Sequence, residues 1–142
     1  MKHLLKKNRK GFTLLEIIIV VIIIGVLASL ALPRLLNTVE RSRSAEAFAS
    51  LGSVRSAMER CYLPYGTFAN CGTFTNLDVG NPANSANSHF TYSFTGVSAT
   101  GYTIRATRNT RDAGNTNDWV QILQDDSTNT VTRSGNTAFG GV

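Results

Sequence analysis

Gly11-Phe12-Thr13-Leu14-Leu15-Glu16 is the stretch that decides the architecture, because of what lies on either side of it. Upstream, Lys2, His3, Lys6, Lys7, Arg9 and Lys10 make a short basic head. Downstream, Ile17 to Leu32 contains no charged residue and only two weak interruptions, Gly25 and Ser29. A single carboxylate, Glu16, therefore stands in the opening turn of a segment apolar enough to enter a membrane. Charge is costly there, and where it occurs it is a candidate functional group. As a helix, Phe12 to Leu32 would be about 31 Å long, close to the thickness of a bilayer's hydrocarbon. The basic head orients it by the positive-inside rule, with residues 1–11 cytoplasmic and the rest outside. A secretory signal has a shorter apolar core and a small-residue cleavage site, whereas here the run spans and ends at Pro33-Arg34.

Charge bounds the function further. The net charge of +5 belongs to the head: beyond residue 11, nine arginines face nine acids and no lysine remains. Bulk charge thus gives no support to nucleic-acid binding. The local cluster Arg105, Arg108 and Arg111 is assigned to neighbouring acids such as Asp112 and Asp118, and DNA is not expected as a partner. An enzyme is not expected either. His89 is the only histidine outside the head, and no nucleotide loop, nucleophile elbow or zinc-binding helix motif occurs.

At 142 residues the chain has room for one head domain beside the membrane segment. From Arg34 to Tyr62 the only breaker is Gly52, and Val39, Phe48, Leu51, Val54, Met58 and Cys61 fall on one apolar stripe, widened by Ala47 and Ala57. Arg55 and Glu59 form an i,i+4 pair. Pro64 and Gly66 are expected to end the helix. Residues 63–89, rich in Asn, Gly, Ser and Thr, form a connecting loop. Over 90–142 the period changes to two, with Phe90, Tyr92 and Phe94, then Tyr102, Ile104 and Ala106, on one face. Trp119 to Leu123 reads as a third strand and Thr130 to Arg133 as a weaker fourth. The fold class is α+β: one long N-terminal helix, apolar over 12–33 and amphipathic over 34–62, packed on an antiparallel sheet of three to four strands. Outside the cytoplasm, Cys61 and Cys71 read as one disulfide, the alternative being two free thiols.

Asp112, Asn117, Asp118 and Asp125 are weak candidates for a calcium ion, without EF-hand spacing, and turn chemistry explains the same residues. No other cofactor is expected.

Lys10-Gly11-Phe12-Thr13-Leu14-Leu15-Glu16, the Ile-rich run, Gly25 and Pro33 resemble the N-terminal signature of type IV pilins and the related type II secretion pseudopilins. The close match covers about residues 9–34. The resemblance implies a prepilin peptidase that cuts between Gly11 and Phe12 and methylates the amine of Phe12. It implies that Glu16, the fifth residue of the cleaved chain, attracts the amine of a neighbouring subunit; at ~4 Å and an effective dielectric of ~20 such a pair is worth up to a few kcal/mol. It implies local melting of the helix between Gly25 and Pro33 on assembly. The chain is then an inner-membrane precursor, assembled with copies of itself by a membrane platform and a separate ATPase into an extracellular pilus. The alternatives are a pseudopilin or minor pilin in a short periplasmic filament, and a membrane-anchored binding module that never polymerises. Cys71 departs from the common pilin pattern, since it lies just past the helix and not near the C-terminus.

Overall fold

The computed structural model describes residues 11–136 and Phe139. The basic head of residues 1–10 lies outside them, as does most of the tail after Asn136. Helix α1 runs from Leu14 to Tyr65. Four strands follow: β1 (Phe90–Thr95), β2 (Gly101–Arg108), β3 (Trp119–Asp125) and β4 (Thr130–Gly135). They form one antiparallel meander in the order β1-β2-β3-β4. The chain divides into two units, residues 1–36 and residues 37–142.

In the second unit, period-two patterning sets the sheet. Tyr102, Ile104, Ala106 and Arg108 alternate as buried residues along β2, and Val120, Ile122 and Gln124 along β3. The α1 face that joins them repeats every three or four residues through Ser44, Ala47, Leu51, Val54, Ala57 and Met58. Ala47, Leu51, Val54 and Met58 of that face, Phe90 and the buried apolar residues of β2 and β3, and Phe68, Cys71 and Phe139 make one core. Each fully buried Leu, Ile, Met or Phe side chain contributes about 1.5–3 kcal/mol by leaving water. Phe48 and Cys61 pack partly buried against this core, while Val39 remains 39% exposed. The Arg55–Glu59 pair is formed at 2.7 Å, and Cys61 is bonded to Cys71.

The helix ends later than its composition suggests. Pro64 lies inside α1 and does not stop it; Gly66 does. Gly66 has φ +63, and its N–H donates to the Tyr62 carbonyl at 2.8 Å, so the left-handed residue just past the helix turns the chain away. Proline in the last turn gives up one N–H bond of the helix, and only Tyr65 follows it in α1. Beyond it, Arg60 holds Asp78 through two hydrogen bonds of 2.6 and 2.7 Å and ties the connecting loop back to the helix. Gly25 and Pro33 both lie within unbroken α1.

Candidate functional site

Two places carry chemistry, one in each unit. The first is the opening of α1. Gly11, Phe12 and Thr13 precede the helix. The Glu16 N–H donates to Thr13 Oγ1 at 3.2 Å, and the Ile17 N–H donates to the Thr13 carbonyl at 3.3 Å. Thr13 is therefore the N-cap, and its hydroxyl satisfies one of the orphan donors of the first turn. Glu16 is the acid of that turn, placed at the positive end of the helix dipole. Thr13-Leu14-Leu15-Glu16 also has the capping-box spacing. The Glu16 carboxylate itself makes no hydrogen bond or ion pair among the described residues and remains available for a partner.

No side chain from Gly11 to Val39 is buried; Phe12 is 80% exposed. A helix apolar on every side has no stable resting place in water and needs lipid or other helices around it. Its length and composition suffice to cross a membrane. Ser29, the one hydroxyl among the apolar residues, donates to the Val26 carbonyl at 2.8 Å and so satisfies itself. A Cβ on Gly11 would meet nothing within 4 Å, and Gly25 is the same. The described fold does not require glycine at either position.

The second place is a closed ring of polar side chains in the head. Arg108 Nε donates to Glu40 Oε2 at 3.1 Å and NH2 to Glu40 Oε1 at 3.3 Å. Arg43 NH1 donates to Glu40 Oε1 and NH2 to Asp112 Oδ2, both at 3.0 Å. His89 Nε2 also meets Asp112 Oδ2 at 3.0 Å. Arg108 NH1 closes the ring by donating to the His89 carbonyl at 3.1 Å. The ring fastens the approach to β1, the end of β2 and the β2–β3 connection to α1. The Arg108 side chain is fully buried and that of Glu40 is 31% exposed. Asp112 and Ala113 have φ +52 and +57, a left-handed turn unusual for residues with side chains. The hydrogen bond from His89, helped by the charges of Arg43 and Arg111, holds the Asp112 carboxyl below the usual carboxylate range. With its Nε2 on a carboxylate, His89 leaves Nδ1 buried without a partner among the described residues.

This ring corrects the expected pairing of Arg105 and Arg108, whereas the charge of Arg111 does act on Asp112. Arg108 turns inward to Glu40, while Arg105, three residues away, lies on the other face of β2 and bonds Gln121. Asp112 goes to Arg43 and His89, and Asp118 Oδ1 takes the Asn136 amide at 2.8 Å. One sequence signal does point to the ring: the alternation that buries Tyr102, Ile104 and Ala106 puts Arg108 on the same apolar face. A guanidinium there requires a buried acceptor.

The four calcium candidates are not brought together. Asp112 follows β2, whereas Asp125 pairs with Gly101 at the opposite end of the β2–β3 ladder and accepts from Ser127. Asp118 is buried under Asn136, and the Asn117 N–H donates to Asn115. Among the described residues no group of three or more His, Cys, Asp or Glu could hold a metal ion.

Comparison with known proteins agrees with both units. A family model described as the prokaryotic N-terminal methylation motif matches residues 6–32. A second, described as type IV minor pilin ComP, DNA uptake sequence receptor, matches residues 33–118. The chain is 44% identical over 59 residues to the type IV major fimbrial protein FimA of Dichelobacter nodosus, a match covering 42% of this chain and 38% of FimA. It is 34% identical over 77 residues to the type IV narrow pilus major component PilA5 of Thermus thermophilus, covering 54% of this chain and 66% of PilA5. Over 52 residues it is 43% identical to the type II secretion system core protein G of Pectobacterium carotovorum subsp. carotovorum, covering 37% and 33%. The match spans about two fifths of the length of the FimA relative. The chain belongs to the type IV minor pilin family whose model matches residues 33–118.

Proposed function

We propose that this member of the minor pilin family is a structural subunit of a type IV pilus. The observation that carries the reading is the segment from Phe12 to Leu32, apolar, without a buried side chain and opened by one carboxylate. Before assembly it anchors the precursor in the inner membrane. A prepilin peptidase cuts between Gly11 and Phe12 and methylates the new amine. Two features support that cut. The bond lies before the N-cap, in non-helical backbone that a protease can take in extended form. Gly11 has no steric or conformational duty in the described fold, so a demand for glycine would come from the peptidase.

In the filament, the apolar segment is covered by neighbouring copies and Glu16 takes the amine of Phe12 from another subunit. The unpaired Glu16 carboxylate suits that role, since a lone charge in apolar surroundings needs a cation. Local melting between Gly25 and Pro33 belongs to the assembled state; both residues weaken a helix, by about 1 and about 3 kcal/mol relative to alanine. An assembly platform and a separate ATPase supply the work. The family of the head favours a pilus, with this chain as a minor component, over the short periplasmic filament of a pseudopilin.

The same family description supports a second reading, in which the head is a receptor for DNA.

Intact mass of the protein in filaments sheared from cells tests the principal reading. The expected species begins at methylated Phe12 with Cys61 and Cys71 oxidised. Glu16→Ala should be cleaved almost normally and give no filaments. A chain still beginning at Met1 in cell envelopes, or normal filament yield from the Glu16 variant, would overturn it.

A further inference from the structure

The charges of the head are sorted by end. The strand register sets one end of the sheet at Phe90, Arg108 and Trp119, and the other at Thr95, Gly101, Asp125 and Thr130. Helix α1 enters at the first, where Glu40 takes Arg108, and leaves at the second, where the charges of Glu59 and Arg55 act on Tyr102. At the entry end four cations, Arg41, Arg43, Arg108 and Arg111, face three acids, Glu40, Asp112 and Asp118. Glu40, Arg43, Arg108 and Asp112 close on one another in the ring, Arg111 acts on Asp112, and Asp118 is buried under Asn136. Arg41 stands outside these pairs and is exposed. At the exit end two cations, Arg55 and Arg60, face four acids, Glu59, Asp78, Asp125 and Asp126. Arg55 takes Glu59 and Arg60 takes Asp78, which leaves Asp125 and Asp126 on neutral partners, Ser127 and Gln124. The bonds from Ser127 hold the Asp125 carboxyl below the usual carboxylate range, so it is ionised at neutral pH. Glu46, beside Tyr92, and Arg105 and Arg133 lie along the middle of the sheet and change the sign of neither end.

We propose that these two ends meet between copies: the entry end of one head, through Arg41, docks on the exit end of the next, through Asp125 and Asp126. The proposal rests on the pilus reading above and adds to it a contact between heads. Charge complementarity identifies the occupant as a second copy of this chain. Copies whose apolar segments enter one membrane from the same side all point the same way. Passing from one to the next along that direction therefore brings an exit end to an entry end. Opposite charge supports this sense of stacking, whereas two exit ends turned toward each other would repel. A contact between two different patches does not pair off in a closed dimer, and it repeats into an open helical array. Because the charges are exposed, they set direction and register more than strength, which comes from the apolar segment.

Arg41→Glu and Asp126→Arg, singly and together, test the contact in cells making the full chain, with sheared filaments measured against processed protein in the envelope. Each single variant should lose about fivefold or more of the sheared material, because like charges then face each other. The double variant restores an opposite pair and should recover most of the loss. Both residues are exposed, so thermal unfolding of each variant in micelles should match wild type. Arg41→Cys combined with Asp126→Cys reads the contact directly. Within one head, α1 alone sets residue 41 about 20 Å from Arg55 at the exit end, too far for a disulfide, so oxidised filaments should give a ladder of linked copies. If the wild type forms filaments and the single variants match its yield, the double variant does no better than the singles, or no ladder forms, the contact is wrong and the pilus reading stands. A processed wild type that forms no filaments would overturn both.

Discussion

Glu40→Gln is the perturbation that most directly tests why the head holds together. Arg108 is wholly buried, and Glu40 supplies two of its acceptors, at 3.1 and 3.3 Å; the backbone carbonyls of His89 and Asn109 take only NH1. The glutamine keeps the volume but removes the charge and turns an N–H₂ group toward one of those donors. Breaking a fully buried pair from one side costs about 3–5 kcal/mol, because an uncompensated charge is left behind. Glu40 is about one third exposed, and water relieves part of that cost. The expected loss is about 2–3 kcal/mol, or about 10 °C in Tm for a unit of this size. Thermal unfolding of the full chain in micelles can be followed through Trp119, the only tryptophan. The double variant Glu40→Leu/Arg108→Met removes both charges, and should be more stable than Glu40→Gln alone. A loss below about 0.5 kcal/mol for Glu40→Gln, or a double variant less stable than the single, would refute the idea that an unpaired guanidinium is what hurts.

Gly114→Ala should cost about 2–3 kcal/mol, because its new Cβ would lie 2.6 Å from the Arg108 guanidinium carbon and closer still to the Asn109 carbonyl; unfolding at wild-type temperature would contradict this. Tyr102 is buried, and its hydroxyl has no hydrogen-bond partner within geometric reach among the described residues, although the Arg55 guanidinium is close enough to act on it. Burial and the charge of Glu59 push the Tyr102 phenol above its ordinary range. Its contribution to stability is then complete below the unfolded value near pH 10 and lost as pH rises further. Tyr102→Phe should match or slightly exceed wild type at neutral pH and flatten the alkaline loss without abolishing it, since burial also pushes Tyr92 up. A loss above about 1.5 kcal/mol at pH 7 would show that the hydroxyl has a partner after all. Reduction of Cys61–Cys71, which closes a separation of 10 residues, should lower stability by about 2–3 kcal/mol, checked by unfolding with and without reductant.

What could be read from the chain and what could not divide along a physical line. Phe90, Tyr92 and Phe94, or Leu51, Val54 and Met58, announce their faces because one period and one burial requirement fix them locally. Glu16 announces itself by being the single acid before a long uncharged run. The exit of α1 was harder, since Pro64 and Gly66 both punctuate a helix. Only the observed +63° φ of Gly66 and its bond to Tyr62 distinguish the stop from the residue tolerated inside it. The ring was illegible in its pairing. Glu40 and Arg108 are 68 residues apart, and local spacing offered Arg108 the nearer Asp112 and Asp118. Nearness along the chain counts for little once β2 sends Arg105 and Arg108 to opposite faces.

The two units obey different rules, and this is why their functions can be tested separately. The described residues of the second unit largely satisfy themselves: their buried apolar side chains share one core, and the charges of the ring close on one another. Residues 11–36 satisfy almost nothing beyond their own helical bonds and the Thr13 cap. Every apolar side chain there is left for lipid or another copy, and Glu16 has no cation of its own among the described residues. A segment that is incomplete alone is what polymerisation requires, because the free energy it lacks as a monomer is what drives it to gather copies. Substitutions at Glu40, Tyr102 or Gly114 should therefore change how well the head folds and leave processing at Gly11 intact. Glu16→Ala should do the reverse, with an unfolding curve of the head that matches wild type and no filament to show for it.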